Sequence, residues 1–424
     1  MLHALKCVSQ SYDWGKLGST SAVALLREAG TGLQTDETVP YAEYWFGTHP
    51  SGPSRMRDNN DELLHDWLLA NPDILGVKPY ATESALPYLL KFLSVGKALS
   101  IQTHPDAARA KILHATRPDL YKDGNHKPEM ALAITPFEAL CSFRAPKDAA
   151  AQLKRAPELL TLAGALFSDA LISAGESGDA VVYAEALRPW FAALCGASPA
   201  DVTRACAALT LRLSSPAITP SPPLPSFPSG VTPLDADVVA ARLIMQYPND
   251  VGVFAPYFLN ALTLSPGSGL FLGAGEPHAY LSGDCVEVMA CSDNVIRAGL
   301  TPKFKDAATL IEMLTYNVSG APAVVCGIPA PAATAPFTLL YSCPVPEFAL
   351  DAVHLPAGLT TDLRVGPSAA ILVVLKGNGI AIDAQGNRTS LKAGTIWLQP
   401  ATATIRIEAG DSGLELYRSA AAST

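Results

Sequence analysis

Two metal-capable side chains, Gln102 and His104, stand two residues apart in Ser100-Ile101-Gln102-Thr103-His104-Pro105. That spacing aims both at one face of a β-strand. The alternation recurs as Lys127 and Glu129 in Asn125-His126-Lys127-Pro128-Glu129-Met130, and as His278 and Tyr280 in Gly275-Glu276-Pro277-His278-Ala279-Tyr280. Three strands with polar pairs in inward phase predict a barrel interior containing His, Glu and Gln. Buried groups of this kind need partners, and a shared cation is the simplest one. Gln102, His104, Glu129 and His278 offer two imidazoles, a carboxylate and an amide oxygen, a mixed N/O set that suits zinc with a position left open. Each residue alone reads as an ordinary structural one; the shared strand phase is what favours a metal centre.

The elements that must position these residues are short and apolar. Strands are expected at Tyr41–Gly47, Leu86–Ser94, Leu99–Thr103 and Met130–Phe143, cut by Gly and Pro. Asp106, after Pro105 and before Ala-Ala-Arg-Ala-Lys-Ile-Leu, reads as the N-cap of a short helix. From about 147 to 260 Ala and Leu take helical spacing, as in 149–156, 183–194 and 200–213, which predicts an all-α insert. Within it, the seven prolines between Pro216 and Pro233 read as a surface loop. β texture resumes at Leu262, so the insert interrupts a β unit whose two parts are 1–146 and 261–320. A C-terminal β unit follows at 321–424, with strands at 370–375, 379–382, 394–398 and 403–407, the first two joined by a turn at Lys376-Gly377-Asn378. Its short strands suit a jelly roll, and with His354 as the one histidine of its β-rich part it reads as structural.

With 424 residues, 49% hydrophobic and 16% charged, the chain can bury two or three cores. A formal net charge of -9 argues against nonspecific binding to nucleic acid or anionic lipid, so any phosphate recognition must be local. The first residues lack a signal-peptide core, and no apolar run reaches the ~20 residues that span a bilayer, which predicts a cytoplasmic protein. The eight cysteines form no Cys-x-x-Cys pair and are expected to be reduced thiols. Gly273-Ala274-Gly275 reads as a turn, not a dinucleotide loop.

Several longer segments resemble the type I mannose-6-phosphate isomerase (phosphomannose isomerase) family. They are Tyr12-Asp13-Trp14-Gly15, Trp45-Phe46-Gly47-Thr48-His49-Pro50, the run from Leu99 to Asp106, the run from Asn125 to Met130, Pro277-His278-Ala279-Tyr280-Leu281 and the run from Ser292 to Lys303. The resemblance implies a mainly β fold of two cupin-type jelly-roll barrels with the inserted all-α domain. It implies one zinc ion on Gln102, His104, Glu129 and His278, and interconversion of mannose 6-phosphate and fructose 6-phosphate ahead of GDP-mannose biosynthesis. The expected partner is a small phosphosugar, and the expected state a monomer. Three positions depart from the family pattern: Phe46 stands where Met is usual, Ser142 where Gly is common, and Gly275 where Asn is common.

For such a reaction Arg297 is the first choice for stabilising charge, since its guanidinium stays ionised and binds oxyanions in a bidentate way. Lys127, in phase with Glu129, should lie in the pocket. Ser100, Lys97 and Trp14 are the candidates for holding phosphate and substrate. Glu287, in Cys285-Val286-Glu287-Val288, is a candidate proton carrier, because burial raises a carboxylate pKa. Tyr280 either orients a sugar hydroxyl or fills the barrel. Two other readings compete. His104-Pro105-Asp106 with His278 matches the His-x-Asp…His triad of non-haem iron oxygenases, and a sugar-binding cupin without turnover would keep the same pocket.

Overall fold

A computed structural model describes residues 1–76, 85–215, 224–331, 333 and 335–422. Part of the proline-rich stretch, 216–223, thus lies outside the described residues. The chain is mainly β with an inserted helical block, as expected. The strands that matter for the site are β1 (His3–Lys6), β2 (Glu43–Gly47), β3 (Tyr88–Val95), β4 (Ile101–Thr103), β5 (Glu129–Ala133), β6 (Phe137–Phe143), β7 (Leu259–Leu264), β8 (Ser268–Leu272), β9 (His278–Ala290) and β10 (Ile296–Gly299). They are followed by β11 (Ala349–Leu355), β12 (Ala370–Asp383), β13 (Ile396–Gln399) and β14 (Ile405–Ala420). One sheet has the path β7-β6-β9-β3-β2, with β4, β5, β8 and β10 branching from it; the other has the path β11-β14-β12-β13-β1. The first strand of the chain therefore belongs to the sheet built by its last hundred residues.

The run expected as one strand from Met130 to Phe143 is two, β5 and β6, broken at Ile134-Thr135-Pro136, where proline has no amide hydrogen for a ladder. A second correction concerns Lys376-Gly377-Asn378. Instead of a turn there, β12 runs through as one strand with register shifts at 374/376 and 377/379, and β14 pairs with it on both sides. Gly377 adopts a φ of +78°, so glycine supplies a bulge and not a reversal. Helices fill 146–153, 157–163, 165–177, 180–195, 199–213 and 236–246. Among the described residues no single helix is long and apolar enough to cross a membrane, and all eight cysteines are free.

Alternation along β3 explains how the two sheets adhere. Tyr88, Leu90 and Phe92 face one way and share a core with Val286 and Val288 of β9, Met130 and Leu132 of β5, and Phe348, Leu350, Ile371, Val373, Leu398 and Tyr417 of the second sheet. Each fully buried aliphatic or aromatic side chain there contributes about 1.5–3 kcal/mol. That face carries the adhesion between sheets. The opposite phase, Leu89, Lys91 and Leu93, points into the first barrel, and there a lysine is tolerated only with partners.

β9 is the strand that gathers the site. Its first residues pair with β6 and β4 (His278 opposite Cys141 and Gln102), and its last with β3 and β5 (Glu287 opposite Lys91 and Ala131). The exchange of partners occurs at Gly283, whose φ is +111° and where a Cβ would lie 2.5 Å from the Pro136 carbonyl oxygen. Only glycine fits such a corner.

Candidate metal centre

Glu129 opens β5, His278 opens β9, and His104 follows the last residue of β4. All three are fully buried, and their ligand atoms lie within 4.8 Å of one another. Glu129 Oε1 lies 2.9 Å from His278 Nε2, and Glu129 Oε2 lies 3.5 Å from His104 Nε2. Each imidazole is oriented through its other nitrogen: His104 Nδ1 is 2.7 Å from the Asn294 carbonyl oxygen, and His278 Nδ1 is 3.0 Å from that of Glu276. A carbonyl only accepts, so Nδ1 carries a hydrogen on both rings, and in the neutral ring Nε2 is left with a lone pair. Neither Nε2 forms a hydrogen bond of acceptable geometry. Two lone pairs thus face carboxylate oxygens, acceptor against acceptor, in a dry interior. A cation among them resolves that conflict, and the N/O donor set fits zinc.

The charges around the ligands maintain this state. Burial pushes His104 down, with Lys127 adding to it, to about 4, so the ring is neutral and ready to ligate. Glu129 is opposed by burial but held well below the ordinary carboxylate range, first of all by the Lys127 ammonium. Lys127 Nζ donates to Glu129 Oε2 at 2.9 Å, and Tyr280 Oη donates to Glu129 Oε1 at 3.4 Å. Gln102 is half-buried, and its backbone stands opposite both His278 and Arg297 in the sheet.

Beneath this group the inward phase holds a second ionic cluster. Lys91 Nζ lies 3.0 Å from Glu287 Oε2, 3.5 Å from Glu43 Oε2 and 4.8 Å from the Trp45 ring centroid, and Trp45 Nε1 donates to Glu43. Burial pushes the Lys91 ammonium down, but Glu287 and Glu43 outweigh it and the net shift is upward. Burial raises the Glu287 carboxyl, Lys91 opposes that, and Glu129 adds to it. Tyr280 is raised well above the ordinary phenol by burial and by the carboxylates of Glu129 and Glu287. Tyr280 therefore links the two clusters as a neutral hydroxyl.

The remaining candidates are more dispersed. Arg297 on β10 is half-buried, lowered by burial, and has no carboxylate partner among the described residues. Lys97 places its ammonium 4.2 Å from the Tyr247 ring centroid, and the Trp14 carbonyl oxygen accepts from the Gly96 and Lys97 amides. Ser100 is half-buried just before β4. Among the described residues, no ion pair links Lys97, and no ring contact links Trp14, to the His–Glu–His group. Asp106 is exposed and accepts from the Arg109 amide as the cap of α1 (Ala107–Thr116), as predicted, so it stays outside the candidate ligand group. Gly275 has a φ of +74°, in the left-handed region that Gly and Asn both favour, and its amide donates to the His104 carbonyl oxygen.

Lys91 and Glu43 were not singled out in the sequence, although Lys91 breaks an otherwise apolar strand in Tyr88-Leu89-Leu90-Lys91-Phe92-Leu93. A lone charge in a buried run is the signal that finds it.

The model of the phosphomannose isomerase type I catalytic domain matches residues 2–146. Mannose-6-phosphate isomerase 2 of Arabidopsis thaliana is 38% identical over 100% of this chain and 94% of its own length. The mannose-6-phosphate isomerase of Homo sapiens is 42% identical over 89% and 88%. A crystal structure of a zinc-bound, holo mannose 6-phosphate isomerase superposes with a TM-score of 0.80 at 30% identity, covering 99% of each chain. An alanine mutant of phosphomannose isomerase from Salmonella typhimurium does so at 0.81 and 29%, again over 99% of each. Likeness at this identity over nearly the whole length extends well beyond the shared barrel: the chain belongs to the type I mannose-6-phosphate isomerase family.

Proposed function

We propose that this chain is a zinc-dependent aldose–ketose isomerase that interconverts mannose 6-phosphate and fructose 6-phosphate through an enediol. The observation that carries the reading is the pair of buried imidazole Nε2 atoms, without hydrogen-bond partners, gathered around the Glu129 carboxylate. His104, Glu129 and His278 would hold the ion, with Gln102 as a fourth ligand from the strand beside His278 and Arg297. Bound there, zinc supplies Lewis-acid stabilisation of negative charge developing on a substrate oxygen.

The chain's own groups cover the remaining demands. The reaction moves a proton between C2 and C1, so a carboxylate with a raised pKa is needed within the pocket. Glu287, raised by burial, is the proton carrier in this reading. Lys91 balances its charge when ionised. Tyr280, kept protonated, orients a sugar hydroxyl, and Lys127 adds positive potential beside Glu129. Arg297, partly withdrawn from water and without a carboxylate partner among the described residues, binds the enediolate or the phosphate. Ser100, Lys97 and Trp14 form the outer, substrate-holding part of the pocket. The exposed, capping Asp106 counts against an iron-type triad. In this reading the chain acts as a cytoplasmic monomer supplying GDP-mannose biosynthesis.

The test is conversion of mannose 6-phosphate to fructose 6-phosphate before chelation, after it, and after zinc is restored. Activity that disappears and returns is the expected result. A zinc-loaded protein that binds the sugar phosphate without turnover would replace this reading with that of a binding-only cupin.

A further inference from the structure

The zinc reading leaves unexplained a dense hydrogen-bond cluster outside the ligand group. Asp123 lies in the segment before β5 and accepts four hydrogen bonds through its carboxylate. Oδ1 takes the Ser292 hydroxyl at 2.8 Å, the Asn125 amide at 2.9 Å and Asn294 Nδ2 at 3.2 Å, and Oδ2 takes the Asp293 amide at 2.8 Å. Asn294 Nδ2 also donates to the backbone carbonyls of Asp123 and Asn125, at 2.8 and 2.9 Å. Asn294 is 1% exposed, and its own carbonyl oxygen is the atom 2.7 Å from His104 Nδ1.

We infer that Asp123 and Asn294 form a positioning clamp that sets the tautomer and ring angle of His104 and thereby the zinc affinity of the site. The inference rests on the proposed zinc centre. The segment from Cys291 to Val295 joins β9 to β10 with no ladder of its own, so its carbonyl can aim at His104 only if something else holds the loop. Asp123 holds it from one side, and Asn294 returns three bonds to the segment that leads into Lys127 and Glu129. One carboxylate thus ties the orienting group of one ligand to the strand carrying another. Neither residue touches the reacting atoms, so both act through His104.

Asn294→Asp is the most pointed test, because it keeps shape and backbone carbonyl but turns the donor aimed at three oxygens into an acceptor. Asp123→Ala removes the hub, and Ser51→Ala, which deletes a bond to the Asp293 carboxylate (3.0 Å) without reaching His104, is the control. Zinc affinity is read by competition with a chelator, beside the melting temperature of each zinc-free protein. The expected result is zinc held about 10–100-fold more weakly by both clamp variants, no change in the control, and kcat recovering at saturating zinc. Affinity within twofold of wild type in both clamp variants overturns the clamp, whatever the melting temperatures do. Should both fail to fold, Ser292→Ala decides: several-fold weaker zinc supports the clamp, and unchanged zinc refutes it. A wild-type protein that binds no zinc would refute the proposed function instead.

Discussion

The two sheets solve the same packing problem and fill their interiors in opposite ways. In each, alternate residues of the central strands face the shared core: Tyr88, Leu90 and Phe92 on one side, Ile371 and Val373 on the other. The remaining phase points into each sheet's own interior. In the second sheet it carries Leu372 and Val374, packed with Leu355, Leu391, Ile407 and Leu416. In the first the same phase carries Lys91, Glu129, Glu287 and Tyr280, all buried. Adhesion between sheets is supplied by the outward apolar face, so the fold tolerates either filling. Chemistry is grafted onto the phase the fold does not need. The polar filling is held together by pairing, with each charge of Glu43, Lys91, Glu287, Lys127 and Glu129 within 3.5 Å of an opposite one.

That contrast can be broken most severely at Lys91. Lys91→Met leaves Glu43 and Glu287 buried without their cation and should cost about 3–5 kcal/mol in urea unfolding. The same variant should enlarge, with the same sign, the pH dependence that the raised Glu287 already gives the wild type. Glu287, already raised by burial, rises further, so the folded state keeps a proton that the unfolded chain releases above the ordinary glutamate range. Stability should then fall as pH rises through the interval between those two pKa values. A flat profile would mean that the polar filling is not held by that ion pair. Replacing Glu43, Lys91 and Glu287 together by apolar residues should restore stability while abolishing turnover, which would separate the two uses of the interior.

In the apolar interior the expectation is reversed. Leu372→Ala should lose roughly 2–5 kcal/mol of stability, with kcat and zinc content per folded molecule unchanged. A fall in kcat of the folded fraction would show that the second sheet does more than support the first. Arg297→Ala sharpens the comparison at the pocket edge: turnover should drop tenfold or more, about 1.4 kcal/mol of transition-state stabilisation, with zinc retained. Unchanged turnover would remove Arg297 from the mechanism. The smallest effect belongs to Asp106→Ala, which deletes a helix cap worth about 1 kcal/mol and should leave bound metal intact. Loss of metal there would revive the His-x-Asp triad.

The alternation of Gln102 with His104, of Lys127 with Glu129 and of His278 with Tyr280 is a local pattern, and period two is a property of the strand itself. Side-chain phase could therefore be read for His278 and Tyr280 within β9, whereas Lys127 precedes β5 and His104 follows β4; Glu129, His104 and His278 do meet. The cap at Asp106 and the helical spacing of the insert were legible for the same reason: each depends on residues within one or two turns. What could not be read was anything that depends on which strands become neighbours. The partner of Lys91 lies 196 positions away in Glu287, and the carbonyl that orients His104 lies 190 positions away.

Local residue types and their spacing thus decided which side chains could ligate, cap or alternate, because those preferences are settled by backbone geometry over a few residues. Only the tertiary structure decided that β1 joins the distant second sheet, that Gly377 makes a bulge where a turn was expected, and that β9 changes partners at Gly283. Each of these follows from competition among strands for hydrogen-bonding partners and buried area, a contest whose outcome is set by the whole chain at once. The site inherits both levels: its ligands from the strand period, and the tautomers and charges that prepare them from neighbours brought there by the fold.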